Sequence, residues 1–160
     1  MLSLLIPDVT QVKRWLKQAG IQHYVCDQCN GLHLSELQVR EGVSDARLFV
    51  EDDRLFVTTE LELRPSALIM ALAETSPLNM QFPLLKIFVD VNDDTLPRLV
   101  ACSLMLSRQG VTFEQFIHFL QAAVGETVEM LEQCQQNNWL CWPDEEGAVG
   151  DDQQIPHALH

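Results

Sequence analysis

Two cysteines three residues apart, Cys26 and Cys29, with His33 four residues on and His23 three residues before, are the residues whose types and spacing point most directly to chemistry. Thiolate and imidazole are zinc ligands, and two thiols at this spacing can also close a disulfide. A structural zinc site takes four ligands, and a second CxxC or HxxxH half is absent, so no metal or other cofactor is expected. A disulfide oxidoreductase places its CxxC at a helix N-terminus, whose dipole lowers the thiol pKa. Here the pair falls between two strand-like runs, Ile21 to Val25 and Gly31 to Leu34, with Asn30-Gly31 as a turn dipeptide. An ordinary turn holding reduced thiols ranks first, redox sensitivity of Cys26 and Cys29 second and metal binding third.

Other chemistry finds less support. Asp52-Asp53 and Asp93-Asp94 resemble general acid/base pairs, but both fall in predicted hairpin turns, where aspartate hydrogen-bonds the local backbone. The run Asp90 to Asp94 lacks the glycine and distal glutamate of an EF-hand loop. There is no GxSxG elbow, no GxxxxGK[ST] loop and no GxGxxG; Ser66 has no base nearby, and His118 reads as a surface or partly buried helix residue. No enzyme activity is expected. Trp139 and Trp142 either cover the edge of the core or anchor a partner, with the first reading ahead.

The elements around these residues follow from periodicity. Asp8 and Gln11 have the form of a capping pair before Val9, Val12, Trp15, Leu16 and Ala19, and Gly20 stops that helix. Ala46, Leu48 and Val50 alternate, as do Leu55, Val57, Thr59, Leu61 and Leu63, so the two runs form a hairpin across Asp52-Asp53. Pro65 opens a second helix that Ser76-Pro77 ends, with Ala67, Leu68, Ala71 and Leu72 on one face. Leu85 to Val91 alternates, and Leu99 to Leu106 is apolar on both faces, which predicts a central or doubly covered strand. Thr112 and Gln115 form a capping box, Val111 and Phe116 a staple, and the stripe from Phe116 to Cys134 predicts a long helix to about Gln136.

The expected fold is therefore α+β: an antiparallel sheet of about five strands with three helices, in the order α-β-β-β-α-β-β-α. Residues 1–143 form one domain, and residues 144–160 an acidic mobile tail. A chain of 160 residues buries a sizeable core without staples. The five cysteines are odd in number and scattered, which fits reduced thiols in the cytoplasm. Met1 to Ile6 lacks the basic region of a signal peptide, and no apolar run approaches the roughly 20 residues of a membrane span. The net charge is −13, and after Arg108 there are nine acids and no lysine or arginine. This argues against nucleic acid and anionic lipid as partners; a cationic partner surface remains open beside the simpler reading of a solubilising charge.

Four segments in register, CDQCNGLHL (Cys26 to Leu34), RPSALIMAL (Arg64 to Leu72), DVNDDTLPRLV (Asp90 to Val100) and QGVTFEQF (Gln109 to Phe116), resemble the enterobacterial branch of the YbjN family. The resemblance covers roughly residues 5–145. It implies a cytoplasmic, usually dimeric protein with a fold like class I type III secretion chaperones and no catalytic or ligand residues to carry over. It further implies regulation of stress response, exopolysaccharide, motility and virulence, exerted through protein partners. The rival readings are a small-molecule or redox sensor using the Cys26/Cys29 hairpin, and a chaperone for a secreted protein.

Overall fold

Alternation of apolar and polar residues builds most of the sheet. In β4 (Arg54–Glu62), Leu55, Val57, Thr59 and Leu61 point into the core, while Arg54, Phe56, Thr58, Glu60 and Glu62 point to the other face. The computed structural model describes residues 3–141. Strand β3 (Val43–Val50) pairs with β4 from Val43↔Leu61 to Val50↔Leu55, with an irregularity between Val43 and Asp45. Their turn behaves as a solvated acidic turn: Glu51 N–H donates to the Arg54 carbonyl at 2.9 Å, and the Arg54 guanidinium donates to both Asp53 oxygens at 2.8 Å. Those bonds hold the Asp53 carboxyl below the usual carboxylate range.

The sheet has six antiparallel strands in the order β1-β2-β3-β4-β6-β5, one more than expected. The additional strand comes from the runs flanking the cysteines. Strands β1 (His23–Val25) and β2 (Leu32–Leu34) form a hairpin, and β2 then pairs with β3 through His33↔Arg47. Four strands thus precede the helix at Pro65 where three were expected. A single helical turn, α2 (Ser35–Gln38), follows β2; with Leu37 as its one buried residue it is too short to leave a periodic signal.

Helices α1 (Val9–Gln18) and α4 (Phe113–Gln136) meet over the core face, where Trp15 lies 5.4 Å from Phe116 and 6.3 Å from Phe113, centroid to centroid. The Thr112/Gln115 capping box closes in both directions, and Val111 and Phe116 are both buried. Strand β6 (Arg98–Leu106) lies between β4 and β5 (Lys86–Asp90), so the reading of a central strand holds. Coverage on both sides does not extend to its end: Val100 is buried, yet Leu104 is 50% and Leu106 71% exposed on the outer face.

The largest departure from expectation is at Pro77. A 3₁₀ turn (Pro65–Ala67) leads into α3 (Leu68–Gln81), which runs through Pro77 instead of ending there, and Leu72 is exposed. An interior proline costs about 3 kcal/mol in a helix. Three anchors beyond it offset that cost. Leu78 and Phe82 are buried, and the Asn79 amide binds the edge strand: Ile87 N–H donates to Asn79 Oδ1 at 2.8 Å, and Asn79 Nδ2 donates to Ile87 O at 2.9 Å. One side chain thereby occupies both edge-facing backbone groups of Ile87, in the interior of the strand, where an additional strand would otherwise pair. Asn79→Ala leaves both groups unpaired, and we expect a loss of about 1–3 kcal/mol in urea-unfolding free energy. An unchanged midpoint would show that the edge needs no such cover.

At the other end of the chain, residues 139–141 lie along residues 62–64. Arg64 N–H donates to Trp139 O at 2.8 Å, and Cys141 N–H to Glu62 O at 2.9 Å. The expected tail, residues 144–160, lies outside the described residues.

Candidate functional site

The β1–β2 hairpin brings Cys26, Cys29 and His33 together. The two Sγ atoms are 2.9 Å apart, and His33 Nε2 lies 3.2 Å from Cys26 Sγ and 3.3 Å from Cys29 Sγ. His33 is buried, whereas both cysteines are partly exposed. Tyr24, its register partner across the hairpin, stacks on the imidazole at 4.7 Å and 6°. Gly31 permits the close approach of the next strand: a Cβ there would lie 3.0 Å from Arg47 Cβ and 3.1 Å from the Phe49 ring. His23 is not part of the cluster; its Nδ1 is 3.0 Å from Ile21 O.

The hydrogen bonds behind His33 determine which ring nitrogen faces the thiols. Gln38 Oε1 accepts from Ala46 N–H at 3.1 Å, and Gln38 Nε2 donates to Ser44 O at 3.1 Å, so backbone groups set the orientation of the amide. His33 Nδ1, 3.0 Å from that same Oε1, is therefore the donor. In the neutral ring this leaves the Nε2 lone pair directed at both sulfurs. Asp45 Oδ1 sits 3.4 Å from Nδ1 on the same side. Sequence reading missed Gln38, because its role arises from one turn of helix and a strand that closes over it.

Three of the thiols differ in acidity. Hydrogen bonding from Cys26, then from the Gly31 backbone, His33 and Arg47, lowers the Cys29 thiol to about 7. Burial pushes the Cys134 thiol up to about 12 and raises that of Cys102. The Tyr24 hydroxyl is also raised, first by desolvation and then by the charge of Asp45.

A second feature lies on the core side, where α4 faces α2. A groove of about 480 Å³ has Leu34, Leu37, Leu120, Val124 and Val128 as its apolar lining, and Glu36, Glu129 and Glu132 along its rim with Arg40. Gly125 sits in its wall, in mid-helix, and a Cβ there would meet nothing within 4 Å. Glycine in such a position costs about 1 kcal/mol relative to alanine, and here no packing constraint calls for it. A long side chain at this position would project toward the groove. Trp139 is buried at 6% exposure, the core-covering placement ranked first from the sequence, and Trp142 lies outside the described residues.

A family profile described as "Putative bacterial sensory transduction regulator", YbjN, matches residues 8–136. This chain belongs to the YbjN family. YbjN of Escherichia coli K12, itself uncharacterized, is 33% identical over 147 residues, covering 92% of this chain and 93% of that protein, and YbjN of Shigella flexneri matches equally. A crystal structure of E. coli YbjN, described as "a putative transcription regulator", is similar at a TM-score of 0.83 and 32% identity, covering 88% of this chain and 99% of that one. The α+β fold with one open antiparallel sheet is thus the YbjN fold. Among the described residues no helix is long and apolar enough to cross a membrane.

The acidified thiol yields a direct expectation for this YbjN protein. In reduced, chelator-treated protein, alkylation of Cys29 by iodoacetamide should rise through a midpoint near pH 7, because the thiolate is the nucleophile. Peptide mass spectrometry over pH 5 to 10 checks it; a midpoint in the ordinary thiol range, about 8.5, would contradict it.

Proposed function

We propose that this protein is a non-enzymatic regulator that acts by holding a basic, amphipathic protein segment in the groove between α4 and α2. The observation that carries this reading is the groove's composition: an apolar floor with Glu36, Glu129 and Glu132 at its rim, on a chain of net charge −13. An amphipathic helix binds such a groove through its apolar face, and the rim acids steer cationic residues toward it. The family description as a regulator supports the same reading. Its setting, following the resemblance, is cytoplasmic control of stress response, exopolysaccharide, motility and virulence. Direct DNA binding forms no part of it, because a surface of this charge releases few counterions from a polyanion.

A synthetic Lys/Leu amphipathic helical peptide and a Glu/Leu control, followed by fluorescence anisotropy, test the proposal. Binding of the basic peptide alone is expected. Glu129→Lys/Glu132→Lys should weaken it roughly tenfold, about 1.4 kcal/mol, and Gly125→Leu should block it while leaving the fold intact. Equal binding of both peptides, or indifference to Gly125→Leu, would refute the groove as the contact surface. A mobility shift on promoter DNA at low salt would refute the exclusion of DNA.

The proposal includes a homodimer, supported by the outer face of the sheet. Arg47, Arg54, Lys86 and Arg98 lie there with Asp45, Glu51, Glu60, Glu62 and Asp90, beside the exposed Phe88, Leu104 and Leu106. That face is nearly balanced in charge on an otherwise strongly acidic molecule, so it is where two copies approach with least repulsion. Light scattering at micromolar concentration should give twice the 18.2 kDa chain mass. A monomer at every concentration would remove the dimer and leave the groove untouched.

A second reading, a redox sensor, is favoured by the 2.9 Å approach of the two sulfurs. Hydrogen peroxide or a disulfide oxidant would take two electrons and two protons from the Cys26 and Cys29 thiols as the S–S bond forms, leaving as two waters or two thiols. Retention of the full cellular response in Cys26→Ser/Cys29→Ser would exclude it.

A further inference from the structure

We propose that Cys26, Cys29 and His33 form a three-ligand site for a zinc-class divalent metal ion, with the fourth position left to solvent or to a donor from a partner. The ligand atoms all lie within 4.8 Å of one another, two sulfurs and one imidazole nitrogen, and the cysteines reach solvent. This is a borderline-soft donor set suited to zinc.

Three observations favour a metal over a disulfide as what the geometry serves. A disulfide needs only the two sulfurs, yet His33 Nε2 is nearly equidistant from both, at 3.2 and 3.3 Å. The ring is also oriented as a ligand: Nδ1 is tied to Gln38 Oε1, whose acceptor role is set by Ala46 N–H, and Nε2 is the nitrogen left with a lone pair. Finally, the ring is held by stacking with Tyr24 and by burial, so little side-chain freedom remains to be lost on binding. Sulfur–metal bonds of about 2.3 Å at tetrahedral angles put two sulfurs roughly 3.8 Å apart, so the thiols must separate by just under about 1 Å. Both are in a partly exposed turn where side-chain rotation achieves this. Binding displaces the thiol protons to solvent and leaves the oxidation state of sulfur unchanged.

The test uses the full chain, reduced and stripped with chelator, titrated with Co²⁺ and then Zn²⁺ in the absence of oxidant. We expect one Co²⁺ per chain, with sulfur-to-cobalt charge-transfer absorption and the intense visible bands of a tetrahedral ion, both bleached by Zn²⁺. Cys26→Ser, Cys29→Ser and His33→Ala should each abolish this spectrum. Gln38→Ala acts one bond removed and should lower affinity about 10- to 100-fold while keeping the spectrum. Circular dichroism of the stripped variants shows whether each remains folded. Independently of any variant, X-ray absorption of the zinc-loaded wild type should show two sulfur scatterers near about 2.3 Å and nitrogen or oxygen near about 2.0 Å. A shell without sulfur, an octahedral cobalt spectrum, or wild-type affinity in Cys26→Ser/Cys29→Ser or in His33→Ala would overturn the site. Because no peptide or oxidant is present, failure here leaves the groove and the redox reading standing.

Discussion

The long antiparallel pairing of β4 with β6 is the constraint on which the other elements depend. It runs without interruption from Arg54↔Leu106 to Glu62↔Arg98. The chain between these strands must therefore travel out to the sheet edge as α3, enter β5, and return to lie inside it. A slip of one residue in this pairing would exchange Leu99, Ala101 and Ser103, which face the core, for Val100, Cys102 and Leu104. Register here decides which side of the sheet α1 and α4 can cover. The β1–β2 hairpin extends the opposite end, joined to β3 through Leu32↔Leu48 and His33↔Arg47, and it carries the thiols.

The same pairing explains the uneven charge. Glu60, in the middle of β4, accepts from Arg98 on β6 at 2.8 Å and from Arg47 on β3 at 3.1 Å. Each cation is on a neighbouring strand, and the carboxylate bridges them across the outer face. Four of the ten basic residues are gathered on this face, Arg47, Arg54, Lys86 and Arg98. No lysine or arginine occurs in α4; Glu114, Glu129 and Glu132 are exposed on it, while Glu126 accepts from the Leu84 N–H at 3.0 Å. The acidity of the chain is thus concentrated away from the outer face of the sheet, in part along this helix.

Much of the fold was legible in the sequence because its signals are local. The Thr112/Gln115 box, the alternation of β3 and β4 and the turn at Asp52-Asp53 each depend on residues within a few positions of one another, and the structure places them as read. What was not legible depends on tertiary partners. Pro77 reads as a stop until Leu78, Asn79 and Phe82 are seen to be held by β5 and the core. Cys26, Cys29 and His33 could be picked out by type, but their convergence requires the hairpin, and the orientation of His33 requires Gln38, fixed in turn by Ala46 and Ser44 on the next strand. Trp139 was ambiguous from composition because an aromatic residue serves equally well inside or outside; only its 6% exposure assigns it to the core. The groove gave no sequence signal except a glycine in a helix, which is uninformative until its surroundings are visible.

Asn79 has a consequence for symmetry. A twisted open sheet normally has two ends, and repeated joining of one end to the other builds an unbounded array. With both Ile87 groups taken by a side chain, the β5 end offers an interrupted ladder, and among the described residues the other end is the three-residue β1. Two ends of the same kind can join only about a twofold axis, and the joined pair then has no end left to offer. Growth by backbone pairing is therefore self-terminating at two chains: the number of open edges, not the affinity between them, sets the upper bound on assembly by that route.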